Sequence, residues 1–331
     1  MKVMFERIRK IYDPGRVQWD GRKNHYFEGW YFKSVSADRS SAAAVIPGFS
    51  VEKDTRHSFI QFYDAVRRKS YYFRYGFEDF LYSKKKFEVS VGKSGFSAES
   101  MHLDIESQGT RIKGGLEFER IAPWPVTFLS PGVMGWYSFV PGMECYHGVL
   151  SFDHRIKGVL EINGEVIDFT EGRGYCEKDW GVSMPSSWIW LQTNHFENRD
   201  ISVFASIAKI PFRGRSFTGY IAGFYYKGKI YRFTTYTGAK MKNLKVDNAV
   251  VSFLLEDSKY RLEIKGRKKE GVVLAAPKFG KMSTKITESL ASEISVEFYR
   301  KKRKAAEKIF EGTGENAGLE ITGDIKELNG E

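Results

Sequence analysis

Cysteine is almost absent: only Cys145 and Cys176 occur in 331 residues. Two thiols build neither a disulfide framework nor a four-cysteine metal site, and both read as free, buried side chains. Proline is scarce at nine against 32 glycines, the balance expected where hairpin turns are many. No run reaches the roughly 18 apolar residues needed to cross a bilayer. The first ten residues, from Met1 to Lys10, carry no apolar core ahead of their charges. No secretory leader is therefore read there, and the expectation is a cytoplasmic protein.

Other absences narrow the chemistry. The six histidines include no His-Glu-x-x-His, and Glu144 with His147 would converge only on a helix, whereas this segment reads as extended. No metal site is expected. A Ser-His-Asp hydrolase lacks its Gly-x-Ser-x-Gly elbow. Gly172-Arg-Gly174 is not followed by the third glycine and helix of a dinucleotide loop.

Charge is one-sided, at +11. The cations cluster at Arg67 to Lys69, Lys84 to Lys86, Arg267 to Lys269 and Arg300 to Lys304. Solvated loop surface is the plainest reading, and peripheral contact with an anionic membrane is the sharper one. No helix-turn-helix, zinc-finger or RRM signature accompanies the charge, so nucleic acid is not an expected partner.

What the chain does have is aromatic side chains: 26 Phe, 18 Tyr and 7 Trp. Strand-like runs such as 59–63, 111–118, 217–226 and 250–256 alternate with turn pairs such as Asn163-Gly164 and Lys227-Gly228. The class is all-β, mainly antiparallel, with barrels expected. Two short helices are predicted near the C-terminus, over 287–292 and 295–310. Shifting the chain by 158 residues lays Trp30 on Trp188 and Val45 on Val203, which suggests two similar halves. The expected domains are 1–182 and 183–331.

Three segments carry the candidate chemistry. Asn24 to Lys33 reads Asn-His-Tyr-Phe-Glu-Gly-Trp-Tyr-Phe-Lys, and as a strand it puts Tyr26, Glu28, Trp30 and Phe32 on one face. A carboxyl among rings is a poor anion and a potential proton donor. Alternatively, Glu28 pairs with a buried arginine such as Arg173, and Trp30 plugs a barrel end. The stretch Glu171 to Gly181 puts Tyr175, Glu177 and Asp179 on one face and Cys176, Lys178 and Trp180 on the other. The two carboxylates serve either a substrate or loop amides. Trp188, Trp190, Gln192 and Asn194 share a face of the third segment, two indoles followed by two amides. That pattern suits a binding wall, or a core. The three segments are compatible with one shared pocket.

These segments resemble the tocopherol cyclase family. The resemblance rests on His25 to Lys33, Met143-Glu-Cys-Tyr-His147, Gly172 to Gly181, Pro185 with the Trp188 segment, and Ala317-Gly-Leu-Glu320. It implies two tandem lipocalin-like β-barrels and a cofactor-independent cyclisation of a prenylated quinol to a chromanol. A proton adds to an alkene, and the phenol oxygen captures the cation. On that reading Glu28, Glu177 or Asp179 donates the proton, and Tyr175 or His147 takes the phenolic one. Trp30, Trp188 and Trp190 shape the pocket or face the cation, while Gln192 and Asn194 hold the quinol oxygens. The expected partner is a hydrophobic small molecule, an isoprenoid lipid. A non-catalytic lipid carrier and a polyene hydratase are the rival readings.

Overall fold

Residues 2–329, apart from 108, 213 and 304, are described by a computed structural model, with 2–5 by backbone alone. Lys304 of the last basic run lies outside the described residues. Among the described residues the chain is mostly antiparallel strand, preceded by one α-helix, Lys2–Tyr12. It forms two compact units, one of residues 1–184 with 274–285, the other of 185–273 with 286–331. Among the described residues no helix is long and apolar enough to cross a membrane.

The first unit is built on a 12-stranded sheet. Its His25–Val35 strand lies between Ala42–Glu52 and Arg173–Gly181, so the chain's early strands meet its late ones. One face of this sheet curls around an aromatic core. Trp30 stacks on Phe87 at 5.7 Å and on Phe80 at 6.2 Å, and Phe49 meets Phe80 at 4.8 Å. Phe80 belongs to the Phe80–Tyr82 strand at one edge of the sheet, and Lys69–Tyr75 forms the other edge. Side chains thus pack across the curl, but no hydrogen-bonded closure joins the edges among the described residues. The expected barrel is an open, curled sheet. Trp30, Phe32, Phe87, Phe96 and Phe118 pack together in its interior.

The second unit repeats the strand order on a 10-stranded sheet: Trp188–Thr193 lies between Ile201–Phe212 and Ala306–Thr322. Its own core includes Ile189, Leu191, Val203, Phe224 and Phe298.

The predicted C-terminal helices do not form. Lys281–Lys301 and Ala306–Thr322 are long paired strands, followed by a short 3₁₀ turn, Ile325–Asn329. The physical reason is periodicity. Ile294, Val296 and Phe298 are buried at every second residue, which a strand satisfies and a helix cannot. Charge and alanine content suggested a helix, but tertiary pairing overrides such local preference.

Candidate acid–base site

The Arg173–Gly181 strand organises the first unit, pairing with His25–Val35 on one side and Cys145–Ile162 on the other. Register decides which side chains meet. Glu28 lies opposite Trp180, Trp30 opposite Lys178 and Phe32 opposite Cys176, so all six share the face that packs on the aromatic core. Tyr31 lies opposite Glu177, and His147 opposite Asp179. Glu177 and Asp179 therefore project from the other face. The single pocket expected for Glu28, Glu177 and Asp179 is divided by the sheet itself.

On the core face, Glu28 is saturated with donors. Its Oε1 accepts from the Gln18 N–H at 2.7 Å and pairs with Lys178. Its Oε2 accepts from the Trp19 N–H at 3.1 Å and from the Tyr26 hydroxyl at 3.1 Å. An ionised carboxylate offers about four acceptor sites, and four donors occupy them here. Lys178 also donates to the carbonyls of Pro14 at 2.9 Å and Arg16 at 2.6 Å. Its ammonium lies 4.6 Å from the Trp30 ring centre and 4.9 Å from that of Trp180. Trp30 donates to the Gly15 carbonyl at 2.8 Å. Glu28, Trp30 and Lys178 thus clamp the 14–19 strap onto the sheet. Burial pulls the Lys178 ammonium down to about 8, with Glu28 opposing. Arg173 pairs with Asp153 at 2.8 Å instead of with Glu28.

On the opposite face, four groups join in a chain. Tyr175 donates its hydroxyl to Glu177 Oε2 at 2.5 Å. His147 Nε2 lies 3.4 Å from the same oxygen, and His147 Nδ1 lies 2.8 Å from Asp179 Oδ1. Tyr175 and Glu177 are buried, and His147 is nearly so. Burial disfavours the imidazolium, but the Asp179 and Glu177 carboxylates outweigh it and push His147 up to about 9. Near neutral pH the ring is charged, with one carboxylate on each nitrogen. Burial, and next the charge of Glu177, push the Tyr175 phenol well above its ordinary range. The Cys145 thiol, 3.9 Å from Asp179, is pushed up in the same way by burial and by Asp179. The ligand atoms of His147, Glu177 and Asp179 lie within 4.8 Å of one another, a spacing that a divalent ion could also use. The sequence reading set aside a metal pair of His147 with Glu144 and named His147, Glu177 and Asp179 together only through the family resemblance; strand register places His147 against both carboxylates.

Of these four groups, His147 lines a cleft of about 1180 Å³. Trp19, Tyr26, Phe139, Tyr146, His147 and Trp180 are among its lining residues, and Tyr146 stacks on Trp180 at 5.6 Å.

In the second unit, Trp188, Trp190 and Gln192 alternate with Ile189 and Leu191, so they lie on the face away from that unit's own core. All three are buried, as is Asn194 just beyond the strand. Trp188 donates its indole N–H to Glu320 Oε2 at 2.6 Å. The partners that sequence reasoning missed are Lys178, Gln18 and Trp19. Lys178 was placed on its face correctly, and its match with Glu28 required the inter-strand register.

Comparison with known proteins agrees with the motif resemblance. A family model described as tocopherol cyclase-like matches residues 81–323. A probable chloroplastic tocopherol cyclase of Oryza sativa subsp. japonica is 27% identical over 117 residues, 34% of this chain and 25% of that protein. The chloroplastic tocopherol cyclase of Zea mays is 28% identical over 108 residues, 31% of this chain and 23% of that one. The matched stretch is thus about a quarter of the length of these curated relatives. Among solved structures, CghA matches with a TM-score of 0.54 at 12% identity, covering 91% of this chain and 89% of its own. The structure of CghA with Sch210972 gives 0.53 at 13%, with the same coverage. At that identity the likeness is one of fold.

Proposed function

This chain belongs to the tocopherol cyclase-like family, and on that premise we propose that it is a cofactor-independent acid–base enzyme of the isomerase or hydratase type, acting on a hydrophobic alkene. The proposed substrate is a prenylated quinol and the proposed product its chromanol. The observation that carries the reading is the buried chain from Tyr175 through Glu177 and His147 to Asp179.

Cyclisation consumes no net proton. One is added to the alkene carbon, and one is lost when the phenol oxygen closes on the tertiary cation. A centre that stores one mobile proton among several bases suits this balance. In the proposal, the proton resident on His147 passes to Glu177. The carboxyl, neutral for that moment and screened from water, donates to the alkene. Tyr175 orients the Glu177 oxygens, and Asp179 steadies the imidazole while it recovers the phenolic proton. Glu28, saturated by four donors, is proposed to act in the fold and not in the reaction. Trp30, stacked in the core, goes with it. Trp188, Trp190, Gln192 and Asn194 are proposed ligand contacts of the second unit.

The test is incubation with a prenylated quinol in D₂O. Cyclisation predicts a product of equal formula carrying one deuterium. A gain of one water would assign a hydratase, and binding without label a carrier.

A further inference from the structure

The first unit displays an apolar surface that its core does not use. Thr127 and Ser130 exchange backbone hydrogen bonds at 2.9 and 3.0 Å, closing a tight turn with Phe128 and Leu129 at its two corners. Such corners usually carry Gly, Asn, Asp or Ser, whose backbone freedom and polarity suit them. Here they carry two large apolar side chains, 83% and 72% exposed. The surrounding segment adds Val126, Trp136 and Phe139, all exposed, and Ile8 on the N-terminal helix is exposed too. Tyr12 ties these pieces together. Its hydroxyl donates to the Phe128 carbonyl at 2.5 Å, and its ring meets Phe139 at 6.1 Å.

Cations border the same surface. Arg7, Arg9, Arg22 and Lys23 line the 1180 Å³ cleft together with Phe139. The acids lining it, Glu6 and Asp20, are engaged: Glu6 pairs with Arg16, and Asp20 accepts from the Arg22 N–H. Apolar side chains projecting beside a basic rim form the pattern of an interfacial anchor. The apolar groups enter the acyl boundary while the cations meet anionic headgroups.

We propose that the Phe128-Leu129 turn, the neighbouring Trp136 and Phe139, and the basic N-terminal helix form a docking face for an anionic lipid bilayer. Because Phe139 and the helix cations also line the cleft, docking sets its mouth against the membrane. A hydrophobic substrate then passes from bilayer to cleft without crossing water. The docking face stands on this geometry alone, and only the delivery route rests on the proposed reaction. Its test is read without substrate, so failure of one leaves the other standing.

The experiment is cosedimentation of the full chain with vesicles of equal parts phosphatidylcholine and phosphatidylglycerol, compared with pure phosphatidylcholine. The wild type is expected to bind the mixed vesicles in preference. The double variant Phe128→Ser/Leu129→Ser should lose on the order of 10- to 100-fold in partitioning. Both sites are exposed, so its circular dichroism should match the parent. Arg7→Glu/Arg9→Glu should lose the preference for anionic vesicles and about tenfold in binding at low salt. Failure of the wild type to sediment with mixed vesicles would overturn the proposal. So would a turn variant that binds as well as the parent. Sedimentation velocity covers the other occupant: a dimer abolished by the turn variant would assign the surface to a second copy and likewise overturn it.

Discussion

The Lys178 ammonium faces the Glu28 carboxylate where neither side chain has any solvent exposure. Two charges taken wholly out of water are tolerated only as a pair, because each offsets the other's lost hydration. Removing one strands its partner. Glu28→Gln or Lys178→Met should therefore each lower stability by about 3–5 kcal/mol. Replacing both together should recover part of that loss. Chemical denaturation of the two single variants and the double variant measures the coupling. A Glu28→Gln protein as stable as its parent would contradict the clamp on the 14–19 strap.

The His147–Asp179 contact predicts a pH dependence of stability. The imidazole titrates near 6.5 when unperturbed and near 9 in the folded chain. Folding thus favours the protonated ring. The contribution is complete below pH 6.5 and disappears as the pH rises through 9, an effect on the order of 3 kcal/mol. Asp179→Asn removes the stronger of the two raising charges, so the pKa falls and the loss begins at lower pH. Denaturant titrations at about pH 6 and about pH 10 provide the check. The wild type should exceed the variant clearly at the lower pH and much less at the higher. Equal differences at both would mean that the pair is not linked to folding.

Turnover separates the two faces of the sheet. Glu177→Gln cannot carry the proposed proton, and it should lower the rate by about 10²–10⁴-fold while ligand binding persists. Glu28→Gln, corrected for the fraction folded, should keep its rate. Deuterium incorporation per folded molecule reads both. The reverse result would return the proton donor to the core face.

Much of this division was legible in the chain, because strands alternate. Tyr175, Glu177 and Asp179 were separable from Cys176, Lys178 and Trp180 by parity alone. What parity cannot tell is which face of a strand near residue 28 joins which face of one near residue 178. That follows from register between segments about 150 residues apart, as in the Trp30–Lys178 match. The same limit hid the contact of His147 with Asp179. The C-terminal strands failed for a different reason. Around Lys301 to Glu307, charge and alanine suggest a helix locally, while burial of Ile294, Val296 and Phe298 and pairing with Ala306–Thr322 decide for strand.

In the second unit, Trp188 and Glu320 make a testable structural contact. The indole N–H is buried and donates to the carboxylate at 2.6 Å. Glu320→Ala removes that acceptor, which should cost about 1–3 kcal/mol. Glu320→Gln keeps an acceptor oxygen and should retain most of the stability. Thermal unfolding with Glu320→Met added distinguishes the roles: a side chain of similar length without an acceptor should fall with Glu320→Ala if the hydrogen bond matters and stay with Glu320→Gln if only packing does.

Metal removal tests the centre most directly. The ligand atoms of His147, Glu177 and Asp179 lie within 4.8 Å of one another, so the same three groups suit either a shared proton or a divalent ion. The two occupants exclude each other, since an ion would take the His147 nitrogen and Asp179 oxygen that now face each other at 2.8 Å. A proton relay keeps its turnover after dialysis against a strong chelator, and adding zinc then inhibits by displacing the proton. A metal centre behaves in the opposite way: turnover falls on chelation and returns with the ion. Restoration by metal would mean that His147, Glu177 and Asp179 hold an ion supplying Lewis acidity in place of the proton relay.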